Sequence, residues 1–239
     1  MFRAFRNIFF GITAFLVFSC SVFKLKNSVP NEAMVEMVTS EGTLILKLYN
    51  ETPLHRDNFK KLVESKFYDG IKFHRVINGF MAQAGDPNSK KDDFKGQLGQ
   101  NSEGETIPAE INPKLFHKKG ALAAARMGDN VNPEKKSSGS QFYIVQGRKI
   151  SLQQLTQMEI SINQKVKNYQ QTENNFRFSD TAKKIYQEIG GTPFLDNGYT
   201  VFGEVTQGIE IIDKICSVKT ARGDRPISAV IILSARIIK

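Results

Sequence analysis

Between Phe73 and Asp86 the chain reads FHRVINGFMAQAGD, setting one large cation, Arg75, and one amide, Gln83, among bulky apolar side chains. The expected product is an apolar pocket with a polar handle. A guanidinium stays charged and presents several N–H groups in fixed geometry, so Arg75 is the residue best suited to donate into such a pocket. Other chemistries find little support. His55, His74 and His117 are scattered, and no pair has metal-ligand spacing. Ser138, Gly139 and Ser140 lack the flanking glycines of a nucleophile elbow, and no phosphate-binding glycine loop occurs. No metal and no cofactor are therefore expected.

Period-2 alternation decides which of these side chains share a face if the run is a strand, a tight turn at Asn78 and Gly79, and a second strand. On that reading Phe73, Arg75 and Ile77 face one way, and Met81 and Gln83 share a face of the second strand. Phe80 then lies opposite unless the turn re-aims it. His74 points away from Arg75 and reads as a structural hydrogen-bonding residue. From these residues alone, a plain hairpin with a solvated Arg75 and a partly buried Gln83 remains open.

The supporting elements follow from local signals. Met34 to Val38 and Thr43 to Tyr49 read as strands joined at Glu41 and Gly42. Thr52 and Pro53 open a helix with a capping side chain and a proline at its first position, and Phe59, Leu62 and Val63 form its apolar stripe; Tyr68 to Gly70 closes it. Residues 87–105 are polar and read as a long surface loop, after which 107–111 resume strand character. Gly208 to Cys216 forms a second helix, with Cys216 as a small core residue, and Val230 to Ile238 a terminal strand. Residues 151–190 show helical periodicity at Leu152, Leu155, Met158, Ile162 and Val166, then at Ala182, Ile185, Tyr186 and Ile189. They read as a helical excursion beside the groove, either decorative or a lid or docking element.

A chain of 239 residues with 40% apolar content can hold one large or two small domains. At its start, Arg3 and Arg6 precede an apolar stretch from Ile8 to Phe18, too short for the roughly 20 residues of a membrane span and suited to a secretory signal. Val17, Phe18, Ser19 and Cys20 then resemble the lipobox of bacterial lipoproteins. That resemblance implies a signal over 1–19, acylation at Cys20, a tether over 20–33 and a domain over 34–239. The place implied is the bacterial cell envelope, lipid-anchored to a membrane on its periplasmic or surface side. With Cys20 acylated, Cys216 is the one thiol left, so no internal disulfide forms. The net charge of +9 comes from scattered Lys and Arg, which suits an anionic membrane surface better than nucleic acid, and no nucleic-acid partner is expected.

Three ordered segments resemble the cyclophilin family of peptidyl-prolyl cis-trans isomerases. The first is the run above, in which Asn78 stands where the family has proline. The second, residues 120–145, reads GALAAARMGDNVNPEKKSSGSQFYIV and matches the family's small-residue strand and its Gly-Ser-Gln-Phe-Phe strand through Gly139, Ser140, Gln141, Phe142 and Tyr143. The third is residues 194–203, FLDNGYTVFG. The resemblance implies a mainly β fold: a closed antiparallel eight-stranded barrel capped by two helices, which removes exposed sheet edges. Here it would carry a helical insertion over about 148–191.

It also implies roles. Arg75 is the catalytic donor, and Phe80, Met81, Phe142, Leu195 and Tyr199 form the proline pocket. Gln83 holds a substrate carbonyl, the backbone at Arg126 pairs with the extended peptide, Ala125 is a small wall, and Gln141 belongs to the same surface. Phe194 stands where relatives often have tryptophan, Tyr199 where they often have histidine, and Arg126 where they have asparagine. The first change weakens a cyclosporin-type inhibitor; the last adds a cation that could favour acidic peptides. The implied partners are proline-containing peptides and unfolded exported proteins, the membrane through the lipid anchor, and no second copy of the chain. A catalytically weak envelope chaperone or peptide-binding module is the other reading left open.

Overall fold

Alternating burial sets the first hairpin: β1 (Met34–Thr39) buries Val35 and Met37, and β2 (Gly42–Leu48) buries Leu44, Leu46 and Leu48. The computed structural model describes Met1, residues 31–170 and residues 176–239, and Asn31–Lys239 form one compact unit. Residues 2–30, which hold Cys20 and most of the expected signal and tether, lie outside the described residues. Among the described residues no helix is long and apolar enough to cross a membrane.

Helix α1 (Pro53–Glu64) turns His55, Phe59, Leu62 and Val63 inward. Its N-terminus differs from expectation. The Thr52 hydroxyl makes no capping bond; the Glu110 carboxylate accepts the Leu54 and His55 N–H groups at 3.0 and 2.9 Å instead. A carboxylate satisfies two orphan donors at once and complements the positive end of the helix dipole. The helix also ends earlier, at Ser65. Lys66 adopts the left-handed conformation there, with Phe67 N–H donating to Leu62 O and Lys66 N–H to Val63 O. This is a Schellman cap lacking the glycine that usually announces one.

The chain continues through β3 (Arg75–Ile77), β4 (Met81–Ala84), β5 (Ala121–Ala124) and β6 (Phe142–Val145). Helices α2 (Leu152–Gln170) and α3 (Asp180–Glu188) form the insertion. Then come β7 (Val201–Gln207), α4 (Ile209–Cys216), a small hairpin of β8 (Thr220–Ala221) and β9 (Arg225–Pro226), and β10 (Ile232–Ile237). Residues 107–111 are not a strand: Ile107 alone bridges, to Ser137, because Pro108 has no N–H and the Glu110 N–H is taken by the Thr200 hydroxyl at 2.9 Å.

Eight strands form one antiparallel sheet in the order β10-β1-β2-β7-β5-β6-β4-β3, an open, curled half-barrel rather than the expected closed barrel. The end strands β3 and β10 are not ladder partners. An isolated bridge between Lys72 and Ile231, flanked by Phe73 N–H to Val230 O at 2.9 Å and Ile232 N–H to Ile71 O at 2.8 Å, spans the gap between the segments before them. The outer edge of β3 is occupied by the small hairpin, whose Asp224 carbonyl accepts the Val76 N–H at 2.8 Å.

One face of the sheet packs with α1 and α4 around Phe59, Tyr68, Phe73, Phe142 and Phe202, with edge-on ring contacts such as Phe59–Phe142 at 5.5 Å. Cys216 belongs to this core, and burial pushes its thiol up to about 12. The opposite face of β4, β5 and β6 carries a second cluster, Met81, Ala123, Tyr143 and Val145, which underlies the groove described next. The insertion has its own small core of Leu155, Ile162, Phe178, Ala182 and Tyr186.

Candidate active site

Antiparallel register sets Arg75 opposite Gln83 and Ile77 opposite Met81, so all four point to the outer face while Val76 and Ala82 enter the core. The turn between them is made by Asn78 and Gly79, with Phe80 N–H returning to Ile77 O at 3.0 Å. Of the pair only Gly79 has positive φ, at 74°, the pattern of a type II turn. This turn re-aims Phe80 onto the groove beside Met81.

There the side chains enclose a pocket of about 110 Å³, with Arg75 and Gln83 on its polar side and Phe80, Met81, Tyr143, Leu195 and Tyr199 on its apolar side. That volume is well below the roughly 300–1,000 Å³ of a drug-sized ligand site and suits a single small ring. Gln83, Ala125 and Arg126 also border an adjoining cavity of about 600 Å³, edged by Met127, Val131 and Lys136. Pocket and cavity together make a groove with one deep subsite.

Gln83 is held in place: its Nε2 donates to Gln141 Oε1 at 2.9 Å, and Gln141 Nε2 donates to Asn101 O at 2.6 Å. The loop supplying Asn101 is organised by the buried Asp86, whose carboxylate accepts the N–H groups of Asn88, Gly99 and Asn101. Arg75 has Nε 3.3 Å from Asp224 Oδ2, and both side chains remain over two-fifths exposed.

Four expectations are revised. Phe142 is not a pocket wall; it is 1% exposed in the main core, and Tyr143 lines the pocket instead. Gln141 and Phe142 are neighbours on the chain and cannot share a face, whereas Gln141 and Tyr143 can. Phe73 lies in the core with Val76, because β3 starts only at Arg75 and the alternation does not extend back through His74. His74 is buried, yet neither ring nitrogen has a hydrogen-bond partner among the described residues. Arg126 is not a free cation. Its guanidinium donates to Gly198 O at 2.6 Å and Met127 O at 2.8 Å, pairs with Asp129 at 2.6 Å and lies 4.5 Å over the Tyr199 ring. Phe194 sits on the rim, half exposed, its ring tilted against that of Phe80 with centroids 5.5 Å apart.

The sequence profile described as cyclophilin type peptidyl-prolyl cis-trans isomerase/CLD matches residues 34–237. The chain belongs to the cyclophilin family. A Staphylococcus haemolyticus protein whose name places it among the peptidyl-prolyl cis-trans isomerases is 34% identical to this cyclophilin over 205 residues, covering 85% of this chain and 90% of that one. A Staphylococcus aureus relative of the same name is 33% identical over 204 residues, covering 85% and 90%. In fold, the cyclophilin resembles a Cryptosporidium parvum cyclophilin crystal structure with a TM-score of 0.61 at 22% identity, covering 87% of this chain and 98% of that one. A second structure of the parasite protein, determined in the presence of the dipeptide Ala-Pro, gives 0.60 at 22% identity over 86% and 99%.

Sequence reasoning missed three contributors to this site. Tyr143 was readable from its strand parity with Gln141. Asp224 comes from a hairpin some 150 residues after Arg75, and nothing local signals their contact. His117, buried behind Tyr143 with Nε2 3.0 Å from its hydroxyl, carried no motif of its own.

Proposed function

We propose that this cyclophilin is an exported, lipid-anchored prolyl isomerase that assists the folding of envelope proteins. Supporting the isomerase chemistry is the single juxtaposition of a cation, Arg75, with an apolar pocket of proline size. Rotation about an X-Pro bond faces a barrier of roughly 18–20 kcal/mol because nitrogen shares its lone pair with the carbonyl. In the twisted state that conjugation is lost, and the nitrogen regains a lone pair able to accept a hydrogen bond. An Arg75 N–H aimed at it stabilises the twisted state more than either planar one, which is the requirement for rate enhancement. The proline ring is held by Phe80, Met81, Tyr143, Leu195 and Tyr199, while Gln83 takes a peptide carbonyl. The extended chain runs past Ala125 and the Arg126 backbone. No nucleophile or acid–base pair is needed.

Export and anchoring rest on Arg3, Arg6, the apolar run after them and Cys20. Two or more acyl chains anchor a protein stably where one is marginal. In this reading residues 1–19 are removed, 20–33 form the tether, 34–239 form the isomerase with its insertion, and the protein acts as a monomer on the envelope side of a membrane. Phe194, lacking an indole N–H, weakens a cyclosporin-type inhibitor.

Cis-trans exchange of an Ala-Pro peptide, followed by NMR with the purified full-length protein and Arg75→Ala, tests the chemistry. Catalysis should fall by about a hundredfold or more in the variant, as when a donor to a transition state is removed. Arg75→Lys should recover little, since an ammonium lacks the planar fork. A parent that binds peptide without exchanging it would support instead a peptide-binding chaperone. Anchoring is tested by labelled fatty-acid incorporation in bacterial cells: label on the parent and none on Cys20→Ala is expected, and an unlabelled parent would remove the anchor.

A further inference from the structure

The insertion reaches the proline pocket through a buried chain of hydrogen bonds. Tyr186 of α3 donates its hydroxyl to Asp196 Oδ2 at 2.6 Å. Asp196 Oδ1 accepts from His117, both at the backbone N–H (2.9 Å) and at ring Nδ1 (2.6 Å). The far nitrogen of that ring, Nε2, meets the Tyr143 hydroxyl at 3.0 Å. All four residues are buried, Tyr186 completely. With Nδ1–H donating to the carboxylate, a neutral His117 ring presents Nε2 as the acceptor of the Tyr143 hydroxyl proton. The chain therefore runs unbroken from the pocket floor to the insertion.

Packing reinforces it. His117 stacks on Tyr143 with the rings at 10° and centroids 6.0 Å apart, and Tyr199 stands edge-on to both. Asp196 itself follows Leu195 of the pocket wall. The C-terminal end of α3 is sewn to the sheet side by Lys119 N–H to Gly190 O at 3.0 Å and Thr192 N–H to His117 O at 2.8 Å. Gly191 permits this approach: a Cβ there would lie 2.3 Å from His117 O and 2.6 Å from the Tyr186 ring.

We propose that Tyr186, supplied by the insertion, is a positioning residue for the proline pocket, acting through Asp196 and His117 on the Tyr143 ring. This rests on the reading of that pocket as the proline subsite. Tyr143 grips the ring of the peptide and lies apart from Arg75, which addresses the rotating bond. Its placement serves the planar and twisted states alike. A loss of such uniform binding raises KM and Kd and leaves kcat nearly unchanged.

Tyr186→Phe keeps the ring and removes only the hydroxyl. In the purified full-length protein it should raise the Kd of an Ala-Pro peptide by about three- to tenfold, with exchange at saturation changed less than about twofold. Tyr143→Phe should also raise Kd, and the double variant should bind no more weakly than the weaker single, because both cut one chain. An unchanged Kd with a lowered thermal midpoint would reduce Tyr186 to a clamp on the insertion and overturn the proposal, as would additive effects. Should Tyr186→Phe fail to fold, Asp196→Asn interrupts the same chain with the same volume and carries the same predicted rise in Kd. Kd is read independently of turnover, so a parent that binds but does not isomerise would sink the isomerase reading while leaving this comparison intact.

Discussion

Arg75 and Asp224 meet across the lip of the groove, Nε to Oδ2 at 3.3 Å, while the carbonyl of the same aspartate anchors the Val76 N–H. The backbone bond fixes the hairpin beside β3, and the side chain gives the candidate catalytic cation a counter-charge. Both side chains are over two-fifths exposed, so water and salt weaken the attraction. A substrate that needs Arg75 must share it with Asp224. Asp224→Asn keeps a residue type that tolerates the left-handed backbone there, φ 60°. It should raise kcat/KM for an Ala-Pro peptide by roughly two- to threefold at low ionic strength, with the gain shrinking as salt is added. A fall in activity would show that Asp224 aims Arg75 instead of competing for it.

Phe142 and Tyr143 are adjacent and serve opposite faces of one strand. Phe142→Ala opens a hole among Phe59, Tyr68 and Phe73 and should cost about 3–5 kcal/mol of stability in urea unfolding. Tyr143→Ala should instead weaken peptide binding by more than tenfold, with a smaller stability loss. Equal stability losses and unchanged binding would reverse the assignment of the two faces.

His74 is 5% exposed and has no hydrogen-bond partner for either nitrogen among the described residues. Burial, opposed in part by Asp86, brings its pKa down from 6.5 to about 4. The folded state thus binds this proton less readily than the unfolded state. The stability linked to the neutral ring is fully present above pH 6.5, declines as pH falls from there, and is lost on passing through about 4. Its size is on the order of 3 kcal/mol. Urea titrations across that window should show the decline in the parent and a flatter profile in His74→Phe; an unaltered slope would assign the acid sensitivity elsewhere.

Asn78 occupies a turn position whose φ proline also adopts, with Gly79 carrying the positive φ that follows it in a type II turn. Asn78→Pro should therefore stabilise the protein by about 0.4–1 kcal/mol through a less disordered unfolded chain. A lowered midpoint would mean that the Asn78 N–H or side chain makes a contribution larger than that gain.

Strong periodicity made most of the fold legible. The first hairpin, both flanking helices, the terminal strand and the two insertion helices lie where apolar residues repeat at 2 or 3.6. What escaped was carried by side chains acting at a distance. Glu110 caps a helix more than fifty residues earlier, Lys66 terminates it without glycine, and Thr200 draws the Glu110 backbone out of a strand. In the groove, Arg75, Gln83, Phe80, Met81, Leu195 and Tyr199 were legible because a compact motif or its family resemblance held them. Phe142 was misassigned because a motif names residues without stating their parity. The Tyr186–Asp196–His117 chain joins three segments with no common pattern, so only the folded structure reveals it.

The pairing of β1 with β10 has a consequence for the order in which the protein can be made. Met34 N–H bonds to Lys239 O, and Val35 faces Ile237, so the second strand partner of β1 comes about two hundred residues after it. A polypeptide that emerges amino end first holds β1 and β2 long before it holds β10. The loop to be closed is nearly the whole domain, which makes that pairing slow. Until β10 arrives, one edge of β1 stays unpaired. A chain truncated before Ile232 lacks β10, and the edge of β1 that β10 covers is left unpaired.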